Sequence, residues 1–229
     1  MQLVITQAPI FPHYLVMQAA GIVFAGTRAG MRHSGDVKRW TSTNGVFAAK
    51  IMWRHLKFIH ERLAADPEGA ALVKPTPWET LATLHPAPLV VHVTRRDKVR
   101  QAISMVRAKQ TGVYSTVHVD AGRKQEVAPG EYDFQILRYH VEKLTKEDQE
   151  WEELFRTHKV PVQTVVFEDF IKDPQNLTVA LLKNLGFPEP EKWQWPQTQI
   201  RSQSDSINSE WRARYLEDEK KADKKDEKK

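Results

Sequence analysis

The sequence predicts an α/β domain with a mainly parallel sheet. Short apolar runs recur at Val46–Trp53, Leu89–Val93 and Val160–Phe167, and amphipathic helical patterns lie between them. That alternation is the signature of strands joined by crossover helices. With 229 residues, 41% of them apolar and seven of them Trp, the chain can also bury a core of the size such a domain needs.

Residues 1–42 form an atypical N-terminal segment. Its apolar stretch, Leu15–Phe24, fits a strand or a short helix equally well at that length. Residues 43–216 read as the main domain. Asn44-Gly45 marks a turn, and Val46–Trp53 follows as a buried strand carrying one lysine, Lys50. Leu56, Ile59 and Leu63 recur at helical spacing up to Asp66-Pro67. Pro75, Pro77, Pro86 and Pro88 confine the next stretch to loop around one short helix, Trp78–Leu84. Leu89–Val93 is the second strand. Arg95–Lys109 is loop running into helix, with Val99, Ala102, Ile103 and Val106 on one face.

Residues 112–130 contain three glycines and one proline and read as a long loop, a length that is often functional. Tyr132–His158 is a long amphipathic helix, and Val160–Phe167 the third strand. Asp173-Pro174 opens a further helix, Asp as N-cap and Pro in the first turn, and Gly186 closes it. Ser206–Leu216 reads as a short helix. Residues 217–229 hold six acids, six lysines and one alanine, a balanced charged tail that is either frayed helix or disordered.

Composition removes several classes of function. Without cysteine there is no disulfide framework, Cys-type zinc site, iron–sulfur centre or thiol nucleophile. His55 and His60 lie five apart, a poor spacing for one helical face, so no metal site is expected. No run approaches 18 apolar residues and the opening MQLVITQAPIF lacks a basic n-region. The expectation is a soluble protein of a reducing compartment, the cytoplasm, with no membrane span. The net charge of +5 suits an anionic ligand. The basic residues gather at one strand end and not along an extended face with stacking aromatics, so nucleic acid is not expected.

Ligands of parallel sheets bind outside the carboxyl ends of the strands. This directs attention to Trp53-Arg54-His55, to Glu168-Asp169 and above all to Thr94-Arg95-Arg96. Arg95 and Arg96 offer planar, bidentate donors suited to phosphate or sulfate, and Ser104 adds a neutral donor on the helix that follows. The bland alternative is a solvated basic helix start with a serine bonded back to its own turn. Spacing alone leaves both open. Glu168 reads as structural and Asp36 as a turn residue.

Three segments carry a resemblance. NGVFAAKIMW, VVHVTRRDKVRQAISMVRAKQTGVY and RSQSDSINSEWRARY occur in the order and at the spacing of the bacterial trehalose 2-sulfotransferase family, with EYDF, WEELF, FEDF and DPQNLTVALLKNLGF between them. The similarity runs from Thr43 to Tyr215, roughly three quarters of the chain. It implies a three-layer sandwich of the P-loop-nucleotide-hydrolase-like sulfotransferase fold. It implies sulfuryl transfer from 3′-phosphoadenosine-5′-phosphosulfate (PAPS) to a carbohydrate hydroxyl, trehalose or another glycan, without a metal, and it allows a homodimer.

Carried over by position, either Arg95 or Arg96, together with Ser104, would hold the 3′-phosphate. The late segment, with Gln203, Asp205, Glu210, Trp211, Arg214 and Tyr215, would close over the nucleotide, with Gln203 and Trp211 as contacts. Lys50 would either reach the 5′-phosphate side or cap the sheet edge. Arg107, Gln110 and Thr111 would either line the acceptor pocket or stand as exposed helix residues, and no catalytic base is assigned. The family opens with a strand, a Ser-x-Arg-Ser-Gly-Ser/Thr loop and a helix. Thr27–Met31 and Arg32–Gly35 carry only parts of that pattern. The expectation is therefore a chain N-terminally truncated relative to the family, lacking the 5′-phosphosulfate loop and impaired in transfer. The alternative is a non-catalytic nucleotide- or polyanion-binding remnant of the same fold.

Overall fold

The computed structural model describes residues 2–7, 46–67, 69–84, 89–112, 130–184, 186 and 206–226. The chain divides into two compact units. One is Met1–Thr94 with Glu150–Glu189, the other Arg95–Gln149 with Pro190–Lys229.

The first unit is built on a sheet which, among the described residues, has four strands: β1 (Gln2–Gln7), β2 (Val46–Ile51), β3 (Leu89–Thr94) and β4 (Val162–Val166), in the order β2-β1-β3-β4. β3 and β4 pair in parallel, with Val90 opposite Val162 and Thr94 opposite Val166. β1 is antiparallel to both its neighbours: Leu3 faces Lys50 on one side and Val91 on the other. β2, β3 and β4 therefore run one way and β1 the other. The expected parallel pairing holds for β3 and β4; the other two described pairings are antiparallel and run through β1, a strand the sequence reading did not place. Six residues without a flanking helical pattern gave no period to read. The carboxyl end of β1 opens on the opposite edge of the sheet from the carboxyl ends of the other three.

β3 is covered on both faces, as its continuous apolar run foretells. Val90 packs into a cluster with Leu56, Ile59 and Leu63 of α1 (Trp53–Ala65), Trp78 and Leu81 of α2 (Pro77–Leu84), and Trp151 and Phe155. Val91, one residue on and so on the other face, packs with Val93, Val165 and Leu181. His92 returns to the first face, its ring edge-on to Phe155 with centroids 5.5 Å apart. Trp53 begins α1 and does not end β2 as expected, and it meets Trp151 edge-on at 5.0 Å. α2 starts on a reciprocal capping box. Thr76 N–H donates to Glu79 Oε2 at 3.1 Å, Glu79 N–H donates to Thr76 Oγ1 at 3.2 Å, and Pro77 takes the first helical position.

After β4 the segment FEDF forms a single helical turn, α5 (Phe167–Phe170), where the sequence reading continued the strand to Phe167. α6 (Pro174–Asn184) opens as expected, with Asp173 Oδ1 accepting from Asn176 N–H at 3.3 Å. Gly186 follows at φ +79°, a left-handed conformation that glycine adopts without penalty.

Among the described residues the second unit is helical. α3 (Lys98–Thr111) buries Ala102, Ile103 and Val106, and α4 (Phe134–Thr157) buries Leu137. α7 (Ser206–Asp226) completes the cluster with Trp211 and Tyr215. Asp133 caps α4 by accepting from Ile136 N–H at 2.9 Å. Only residues 134–149 of α4 belong to this unit, and residues 150–157 belong to the first. α7 runs ten residues beyond Leu216, where the sequence reading stopped it. Two acids near the start of the charged tail accept hydrogen bonds: Tyr132 Oη donates to Asp218 at 3.0 Å and Tyr215 Oη to Glu219 at 3.0 Å. Arg214 and Lys221 flank Asp218 one helical turn to either side. Among the described residues no helix is long and apolar enough to cross a membrane.

Candidate functional site

The Arg-Arg turn lies where the sequence places it. β3 ends at Thr94, Arg95 and Arg96 follow, and α3 begins at Lys98. Arg95 is half-buried and Arg96 exposed. Lys98 N–H donates to Arg96 O at 3.1 Å, which closes the turn. Lys98 Nζ forms an ion pair with Asp148 of α4.

Asp97 is the N-cap of α3. Its Oδ1 accepts from Arg100 N–H at 2.8 Å, and its backbone O accepts from Gln101 N–H at 3.1 Å. These first-turn donors are therefore occupied within the chain. An anion held at this turn would rely on the guanidinium groups more than on the helix terminus. Asp97 Oδ2 also accepts from Arg212 Nε at 2.8 Å. Burial works against its charge, but the Arg100 N–H, the Arg212 hydrogen bond and the charges of both arginines outweigh that and hold its carboxyl below the ordinary value. Ser104 lies on α3 seven residues beyond the cap, two helical turns on, and is exposed. It stands close to the azimuth of Asp97 and Arg100, on the face turned away from the buried Ala102–Ile103–Val106 side.

Two of the sequence motifs meet here, although they are far apart in the chain. Arg107 Nη1 donates to Asn208 Oδ1 at 2.7 Å across 101 positions. Arg212 reaches Asp97 across 115. Beneath these polar contacts, Trp211 and Tyr215 pack against Ala102, Ile103 and Val106. Trp211 is 5% exposed and edge-on to Tyr132 at 5.7 Å. Arg214 lies over the face of the same Tyr132 ring, 4.0 Å from its centroid. Burial and the hydrogen bonds to Asp218 and Glu219 push the Tyr132 and Tyr215 hydroxyls well above the usual phenol range, so both stay protonated donors.

The residues expected on the acceptor side make contacts of their own within the chain. Gln110 uses its whole amide on backbone: Nε2 donates to Glu131 O at 2.9 Å, and Oε1 accepts from Glu131 N–H at 3.2 Å. Gly130, at φ +79°, lies so close that a Cβ there would collide with Gln110 Oε1. This clamp ties the end of α3 to the residues on the far side of the 113–129 segment. Thr111 Oγ1 donates to Arg107 O at 2.8 Å, within its own helix. Lys50 lies in β2 opposite Leu3. Gln203 and Asp205 lie outside the described residues, as do Asp36 and both partial loop patterns at 27–35. Glu210 is exposed on α7.

Sequence reasoning missed Asp97, Asn208 and Arg212. A signal for the last two existed. In SINSEWRARY the apolar pair Trp211 and Tyr215 is spaced i, i+4, and Asn208 and Arg212 share that spacing on the adjoining stripe.

Comparison with known proteins adds the following. The family model for Stf0 sulphotransferase matches residues 29–218. The trehalose 2-sulfotransferase of Mycolicibacterium smegmatis is 26% identical over 179 residues, covering 76% of this chain and 62% of that protein. The trehalose 2-sulfotransferase of Mycobacterium tuberculosis is 23% identical over 173 residues, covering 75% of this chain and 61% of that protein. The chain thus spans about three fifths of the length of the curated relatives it matches.

Proposed function

The chain belongs to the Stf0 sulphotransferase family, and from that premise we propose that it binds PAPS and transfers its sulfuryl group to a carbohydrate hydroxyl, trehalose or a related glycan. The observation that carries the reading is the convergence of two matched motifs in one unit. The helix after Arg95-Arg96 and the SINSEWRARY helix are joined by Arg107–Asn208 and Asp97–Arg212. The three-layer, P-loop-nucleotide-hydrolase-like arrangement, the homodimer and the cytoplasmic setting belong to the same proposal.

In such a transfer the acceptor oxygen forms a bond to sulfur while the bond from sulfur to the 5′-phosphate oxygen breaks. The hydroxyl proton leaves to a base that no residue here is assigned. Rate in such reactions comes mainly from positioning and from stabilising charge on the leaving oxygen. The chain's part is to fix the nucleotide. Arg95 or Arg96 supplies a charged, planar donor pair for the 3′-phosphate, and Ser104 supplies a neutral donor from an exposed position on α3.

A second reading has one observation in its favour. The family's phosphosulfate loop follows its opening strand, whereas β1 here runs antiparallel to both neighbours and ends on the edge away from the carboxyl ends of β2, β3 and β4. On that reading the chain binds nucleotide without turnover.

Calorimetric titration with adenosine 3′,5′-bisphosphate tests the site. We expect binding by the wild type and its loss in Arg95→Ala/Arg96→Ala/Ser104→Ala. A folded wild type that does not bind overturns both readings. Mass-spectrometric detection of sulfated trehalose from PAPS then separates the enzyme from the binding remnant.

A further inference from the structure

Asp97 stands immediately after the two arginines that the proposed function assigns to the 3′-phosphate. A carboxylate in that place opposes an anionic ligand unless its charge is met elsewhere. Part of it is met from α7. Asp97 Oδ2 accepts from Arg212 Nε at 2.8 Å, while the neighbouring Arg100 Nε lies 3.7 Å away. Lys98, the next cation along the chain, is paired with Asp148. Oδ1 is committed to the Arg100 N–H as the cap of α3. The carboxyl is held ionised, so a negative charge persists beside the arginines at neutral pH.

We propose that Arg212 is a positioning residue for nucleotide binding. Its guanidinium neutralises Asp97 and keeps that carboxylate turned to the cap, so that it does not compete with a phosphate for Arg95 and Arg96. The inference rests on the Arg95/Arg96 reading above. It assigns to the late motif a role exerted through Asp97 and without contact to the nucleotide. Arg212 is 39% exposed at its side chain, so its replacement leaves the packed face of α7 intact.

The test is a double-mutant cycle read by calorimetry with adenosine 3′,5′-bisphosphate, with circular dichroism to verify folding. Arg212→Gln is expected to weaken binding by roughly tenfold. Asp97→Asn keeps a good N-cap and removes the charge, so it is expected to bind at least as tightly as the wild type. The double variant is expected to return to within about threefold of Asp97→Asn, with the coupling expected of a direct pair. A purely structural tie between α3 and α7 is not repaired by removing its second partner. Wild-type affinity in Arg212→Gln, or a double variant as weak as Arg212→Gln, overturns the inference alone. A folded wild type that binds no nucleotide overturns the functional reading and this inference with it.

Discussion

Arg107 Nη1 donates to Asn208 Oδ1 at 2.7 Å, which joins the helix after the Arg-Arg turn to a helix that begins nearly a hundred residues later. A guanidinium bonded to an amide oxygen in a half-buried setting is stronger than an ordinary neutral hydrogen bond. Arg107 therefore has a structural task at the position the sequence reading gave to the acceptor.

Asn208→Ala is expected to lower unfolding free energy by about 1–2 kcal/mol, since it removes the acceptor of a charged donor. Urea denaturation measures it. An unchanged midpoint together with a raised KM for sugar would return Arg107 to the acceptor pocket.

Trp211→Ala is expected to cost about 3–5 kcal/mol, the range for emptying an aromatic core site. The residue packs with Tyr215, Ile103 and Val106 and is nearly inaccessible to solvent. Thermal melts decide the matter. A variant that keeps its melting temperature and loses nucleotide binding would make Trp211 a ligand contact and not core.

Gly130→Ala is expected to destabilise by about 1–3 kcal/mol, the cost of a left-handed non-glycine residue, with the collision against Gln110 in addition. Combining it with Gln110→Ala is expected to relieve the collision and leave the backbone term. The melt of Gln110→Ala alone measures the clamp on Glu131, and an unchanged melting temperature there means that it contributes nothing.

His140 is buried on α4. Burial, then Lys109 with its Nζ 3.4 Å from Nε2, then Lys143, hold the ring below the ordinary imidazole pKa. A group depressed in the folded state contributes stability above its unfolded pKa, and that contribution is lost as pH falls through the folded value. Stability is thus expected to fall as pH drops below about 6.5, the unfolded imidazole value. His140→Gln is expected to flatten that slope. Urea midpoints at neutral and mildly acidic pH for both proteins check the sign, and a slope that survives the substitution removes His140 as its source.

Much of the fold was readable because its signals were local. β2, β3 and β4 are apolar runs between turn residues, and α1, α3, α4 and α6 carry an apolar stripe with Asp or Gly at their ends. What escaped was not local. β1 is six residues whose place in the sheet is fixed by partners distant in the chain, Val46–Ile51 and Leu89–His92. The length of α7 escaped because a run of balanced charge has no apolar period, while the Tyr132–Asp218 bond that anchors its middle is a tertiary contact. The candidate site divides the same way. Arg95, Arg96 and Ser104 were visible as a strand end running into a helix, whereas Asp97 shows its importance only when Arg212 is seen across from it.

The interleaving of the two units has a further consequence. The chain leaves the first unit after Thr94, re-enters it within α4 between Gln149 and Glu150, and leaves again after Glu189. No single cut therefore separates one unit from the other. A break anywhere from 95 to 189 strands part of each on both fragments, and α4 is the shared member that a break near 149 would divide. Trp151 and Phe155 would then be severed from the turns of the same helix that carry Leu137. Limited proteolysis should accordingly yield no stable fragment of one unit's size.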